Sequence, residues 1–125
     1  MAEQTKPDVV SSALDVAIAK IRVNFINRLK ENLQALENWA DQFDSSSEDH
    51  EPLIQLAAEA HKISGIATSV GFEMLGNFAK NAEYAINDYL SGGNGIATPE
   101  SILEIVDSML CEIEVTISTS RAPSG

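Results

Sequence analysis

The chain has 125 residues, 44% of them hydrophobic, with 19 Asp and Glu against 8 Lys and Arg, for a formal net charge of −11. That length suits one domain with a buried core and is too short for two. So acidic a balance excludes sequence-independent nucleic-acid binding, which needs clustered Lys and Arg against phosphates, and it argues equally against anionic membrane surfaces. Cys111 is the single cysteine and can close no internal disulfide, and no Cys/His cluster points to zinc. The start MAEQTKPDVV has no basic residues followed by an apolar run, and no stretch approaches the roughly 18 apolar residues of a membrane span. The expectation is a soluble cytoplasmic domain.

Residues 1–11, with Pro7 and mixed polarity, are expected to be flexible or at most one helical turn, with Asp8, Ser11 or Ser12 as cap. From about Ser12 to Phe43 the residues Leu14, Ile18, Ile21, Phe25, Leu29, Leu33, Leu36, Ala40 and Phe43 recur at helical spacing with no interior Gly or Pro. Trp39 falls beside that stripe, as a packing residue at the bundle edge. Asp44 to Glu51 reads as a polar, acidic loop. His50 with Glu48 and Asp49 has metal-ligand chemistry, but a solvated connection is the better reading of so short a segment.

Pro52 suits the first turn of a second helix, and Gly71 suits its stop, where a positive φ costs little. A third helix follows from Phe72, Leu75, Ala79, Ala82, Ile86 and Tyr89, with Met74 and Phe78 expected to thicken the core. The glycines after Ser91 make a turn, since no strand precedes them and no P-loop Lys follows. Thr98 as cap and Pro99 in the first turn open a fourth helix, with its stripe at Ile102, Val106, Met109, Ile113 and Ile117 and Cys111 pointing away. Four amphipathic helices on short loops predict an all-α, antiparallel up-down-up-down four-helix bundle over 12–119, with 120–125 as a flexible tail.

The stretch from Ala57 to Glu83 carries the chemistry. Leu53, Leu56, Ala60, Ile63, Ala67 and Val70 form the buried stripe of the second helix. At about 100° per residue, His61 lies on the order of 130° from that stripe and faces solvent. Around it stand Ile54, Ala57, Ala58, Ser64, Gly65 and Thr68, none with a charge or a long side chain. A glycine inside a helix costs about 1 kcal/mol relative to Ala, so Gly65 reads as an allowance for another molecule's approach. Taken alone, a single surface histidine is more often idle. A platform around a nucleophilic imidazole is the reading that explains its surroundings.

With Ala60, His61, Ile63, Gly65, Ala67, Gly71, Leu75 and Glu83 in register between amphipathic helices, the chain resembles the histidine-containing phosphotransfer (HPt) domains of multistep phosphorelays, over about Ser12 to Thr119. The resemblance implies that His61 accepts a phosphoryl group from an aspartyl phosphate on one receiver domain and passes it to another, as a phosphocarrier rather than an enzyme. It implies a receiver domain of a response regulator or a hybrid histidine kinase as partner, with Mg²⁺ held by that partner and no cofactor or metal in this chain. A cytoplasmic monomer is expected. One residue departs from the family's pattern: Ser64 stands where the family usually has Lys. That departure keeps open a second reading, a non-catalytic adaptor that binds receivers or kinases without transfer.

If the hairpin closes at Val70–Gly71, His61 comes level with about Lys80, and Glu83 shares the flank of Lys80. Glu83 is then placed to accept a hydrogen bond from Nδ1–H, and Lys80 to lie within side-chain reach of the ring and neutralise a phosphoryl group. A Lys–Glu pair that serves only its own helix is an equal reading. Lys62, one residue on from His61, is turned about 100° away and is the poorer substitute for the missing Lys.

Overall fold

A computed structural model of the chain describes residues 2–44, 49–92 and 98–121, with residues 2–11 and 121 described through their backbone alone. Four helices follow one another: α1 Ala2–Gln42, α2 Glu51–Ser69, α3 Glu73–Leu90 and α4 Pro99–Arg121. No strand occurs among the described residues. Each helix packs on two neighbours, in the cyclic order α1, α2, α3, α4. Neighbours run antiparallel: Arg28 and Asn32 share a groove with Glu59 and Lys62, and the start of α3 shares one with Glu112 to Thr119 of α4.

The apolar stripes meet on the bundle axis. Leu36, Leu53, Leu56, Leu75, Ile86, Ile102, Val106, Met109 and Ile113 are fully enclosed there, as helical periodicity predicts. Phe78 packs partly buried against this core, whereas Met74, expected beside it, is 62% exposed. Met74 lies in the first turn of α3, where the groove toward α4 is still open. Trp39 sits half-buried at the edge, and Cys111 is exposed.

Local chemistry sets the helix ends. Pro52 occupies the first turn of α2, and the amide of Glu51 donates to Asp49 Oδ1 at 3.0 Å. At the other end Gly71 has φ +92°, and the amide of Phe72 reaches back to the Ala67 carbonyl at 2.8 Å. That closure satisfies a last-turn carbonyl of α2 and needs a left-handed residue, which glycine adopts without strain. Before α4, Thr98 and Ser101 exchange bonds: the Ser101 amide donates to Thr98 Oγ1 at 3.1 Å and the Thr98 amide to Ser101 Oγ at 2.8 Å. The segment 45–48 and residues 93–97, part of the glycine-rich stretch expected to turn, lie outside the described residues.

Helix α1 differs from expectation. It begins at Ala2, so none of Asp8, Ser11 and Ser12 starts it, and residues expected to add at most one turn continue the main helix. Pro7 is the sixth residue of α1, past the four amides that lack an intrahelical acceptor, so it removes one backbone bond, the one to the carbonyl of Glu3. The apolar stripe is buried only from Phe25 onward; Leu14 is 58% and Ile21 48% exposed. Leu14 lies on the part of α1 that outruns the shorter neighbouring helices and has no helix to pack on, whereas Ile18 still packs partly buried against the core and Ile21 is exposed level with the bundle. Where α1 does meet the bundle, Arg22 fastens it: Nε donates to the Val70 carbonyl at 2.6 Å, and the guanidinium lies 5.7 Å from the centre of the Phe72 ring.

One stripe therefore contains two energetic classes. Leu36→Ala is expected to cost about 2–5 kcal/mol as a cavity in a closed core, and Leu14→Ala no more than about 0.5 kcal/mol, both measured by urea unfolding. Equal costs would mean that Leu14 is covered.

Candidate functional site

The site is built by the α2–α3 pair. The backbone closure at Ala67–Phe72 makes Phe72 the midpoint of this hairpin, so residues equidistant from it stand level. Thr68 faces Gly76, where a Cβ would lie only 2.5 Å from Thr68 Oγ1. Glycine at 76 thus permits a close approach of the two helices. One further step out, Ser64 is level with Lys80, and next His61 is level with Glu83.

This register corrects the sequence-based level by one helical turn, because the midpoint lies beyond Val70–Gly71. His61 Nδ1 and Glu83 Oε2 are 2.9 Å apart. The His61 side chain is 73% exposed and that of Glu83 is 20% exposed. A carboxylate at Glu83 only accepts, so the bond between them is donated by Nδ1–H, and a neutral ring so held has its lone pair on Nε2. The half-buried acid orients the exposed ring.

The remaining predicted residues divide. Ile54, Ala58, Gly65 and Thr68 are exposed, as expected. Ala57 is only 7% exposed and belongs to the core cluster, a correction to its placement on the surface: it forms the floor of the α2–α3 groove. A Cβ on Gly65 would meet nothing within 4 Å, so this chain's own packing does not demand glycine there. Ser64 turns back on its own helix, donating from Oγ to the His61 carbonyl at 3.0 Å. Lys62 holds Glu59 at 3.5 Å.

A groove of about 470 Å³ leads from His61 toward the start of α2, lined by Ile54, Ala57, Ala58, His61, Lys62, Glu83, Asn87 and Leu90. The lysine on this groove is Lys62; Lys80, favoured from sequence, is exposed on α3 one turn nearer the hairpin and does not line it. Asn87 and Leu90 were missed by the sequence reading. Their signal was present, since positions 83, 87 and 90 repeat at helical spacing on one flank. His50 lies elsewhere, its ring edge-on to Tyr89 at 6.3 Å. Among the described residues no group of three His, Cys, Asp or Glu is placed to hold a metal ion; Glu48 lies outside them. No described helix is long and apolar enough to cross a membrane.

The Glu83 contact has a spectroscopic consequence. Long-range ¹⁵N–¹³C correlation spectra should show neutral His61 protonated on Nδ1, and Glu83→Ala should move the proton population toward Nε2. An unchanged tautomer in the alanine variant would show that Glu83 does not orient the ring.

Comparison with curated proteins and with solved structures gives no match. A family model for the Hpt domain matches residues 20–115, which contain α2, α3 and the whole groove. The chain belongs to the Hpt domain family, the helical phosphocarriers of phosphorelays.

Proposed function

We propose that this chain is a phosphorelay intermediate: His61 Nε2 takes a phosphoryl group from an aspartyl phosphate on one receiver domain and yields it to an aspartate on another. The observation that carries this reading is the exposed ring held through Nδ1 by Glu83, which leaves Nε2 free toward solvent. In the forward step the Nε2 lone pair forms the N–P bond while the acyl P–O bond breaks and the aspartate leaves as a carboxylate. The ring becomes cationic, and Glu83 stabilises that charge through the Nδ1–H bond without taking the proton. The reverse step restores the neutral ring.

Little else is asked of this chain. Mg²⁺ on the receiver, when bound, supplies the charge neutralisation that in-line transfer needs. The small side chains of Ala58, Gly65 and Thr68 support the reading by leaving the approach to His61 low, and the apolar groove with Ile54 and Leu90 offers the receiver a surface to bury. The lack of a membrane-spanning helix among the described residues is compatible with a cytoplasmic relay.

Ser64 favours a second reading, a receiver-binding adaptor without transfer. With Ser64 bonded to its own helix, a cation at this level has to come from Lys80 across the pair, from Lys62 or from the partner. On the relay reading Lys80→Ala slows formation of phosphorylated His61 or shortens its lifetime, and Ser64→Lys restores much of the loss. Unchanged transfer kinetics would assign the charge to the partner alone.

The test of the proposal is transfer from a phosphorylated receiver. The parent should take up label that is lost in acid and kept in base. His61→Gln should take up none, while its stability shifts by no more than about 0.5 kcal/mol. Gly65→Gln should fold and fail to dock. Label on His61→Gln would assign the wrong histidine, and binding without any label on the parent would leave the adaptor.

A further inference from the structure

Helix α1 outruns the bundle. Ser120, in the last turn of α4, lines a groove with Ala19, Arg22, Val23, Ile26, Asn27, Lys30 and Phe72, so the bundle ends near Ala19. The part of α1 before that point is about 25 Å long at 1.5 Å per residue, and every one of residues 12–17 is exposed. Along one side of it Ser12, Val16, Ala19, Val23 and Ile26 recur at spacings of four and three, a coiled-coil seam. Val16 and Val23 are 55% and 57% exposed. The seam runs from the overhang directly into the groove of about 390 Å³, whose wall is Ala19, Val23 and Ile26.

We propose that a second copy of this chain covers the seam, the two α1 helices pairing antiparallel about a twofold axis between Ala17 and Ile18 so that each overhang lies in the other's groove. In that register Val16 meets Ala19 of the second copy and Ser12 meets its Val23, large against small at each layer. The charges agree with it. Asp15 and Arg22 lie on the same flank of the seam, and the twofold axis brings Asp15 of one copy to the level of Arg22 of the other, whose guanidinium lines the groove while Nε stays on its own Val70 carbonyl. Two chains of net charge −11 repel over most of their surfaces, yet residues 16–30 hold four of the eight basic residues, Lys20, Arg22, Arg28 and Lys30, and no acid. Association is least opposed along α1. The contact is isologous and closes at two copies, where the sequence led to the expectation of a monomer.

The experiment is light scattering of the purified chain through the micromolar range, with cross-linking to set the register. The parent should have twice the 13.5 kDa chain mass. Val16→Asp with Val23→Asp should convert it wholly to monomer with unchanged helical circular dichroism and cooperative unfolding. A monomeric parent, or a dimer that survives the double substitution, overturns the proposal, and the seam then serves a different protein or none. In a Cys111→Ser background, Ser12→Cys and Val23→Cys proteins should form disulfides with each other when mixed. Disulfides between like copies, which the antiparallel arrangement holds about 16 Å apart along the axis, overturn the register. The seam is separate from the His61 groove, so the double variant keeps the phosphoryl acceptance of the parent, and failure of either idea leaves the other standing.

Discussion

The close approach of α2 and α3 at Gly76 is the constraint on which the site rests. Thr68 Oγ1 occupies the space that a Cβ on residue 76 would need, and this contact, with the left-handed Gly71 between the two residues in the chain, sets the level of every pair further along. Move the two helices apart, or slide one by a turn, and Glu83 no longer reaches His61. The buried stripes on the far sides of both helices, from Leu53 to Val70 and from Leu75 to Ile86, hold this geometry against the rest of the bundle. A histidine that is largely exposed is thus oriented by an interior that it does not touch.

The ring's surroundings divide the work of phosphoryl transfer unevenly. A nucleophile needs a free lone pair, a fixed tautomer and room for in-line approach. On the proposed relay Glu83 favours the tautomer that leaves the lone pair on Nε2, the exposure of the ring makes that lone pair accessible, and the small residues at 58, 65 and 68 leave the room. Besides Lys62, which pairs with Glu59, no further acid or base among the described residues lines the groove, and none is needed for a leaving group that is a carboxylate. On the proposed relay, an acidic carrier with one orienting carboxylate is a stationary point between two receivers rather than a catalyst in its own right.

Much of this was legible in the sequence, for identifiable reasons. Periodicity located four helices and most of their core, because buried stripes of Leu, Ile and Val leave a strong signal at 3.6 residues. Gly71, Pro52 and Thr98 were readable as helix ends because each has a backbone or side-chain reason to be there. What failed was what depends on a neighbour. Ala57 lies near the azimuth of Ile54 and Ala58 yet is covered by α3, and Met74 belongs beside a stripe that α4 leaves open at that level. Leu14 has the correct period and lacks a partner, since periodicity does not record how long the other helices are. The pairing of His61 with Glu83 was anticipated by flank, but its level was misjudged by a turn because the closure runs through Phe72. Asn87 and Leu90 went unnoticed because an amide and a leucine carry no chemistry until a groove brings them beside a histidine.

The same fold presents two unlike surfaces, a low-relief groove around one imidazole on α2 and α3, and an apolar seam on an overhanging α1. The first is where phosphoryl transfer is proposed to take place. Its most direct measurement is ³¹P–¹⁵N-resolved NMR of the chain after incubation with a phosphorylated receiver and Mg²⁺. The account predicts one phosphorus coupled to Nε2 of His61, with Nδ1 still protonated. Phosphorus on Nδ1, on His50 or on no nitrogen at all would contradict it.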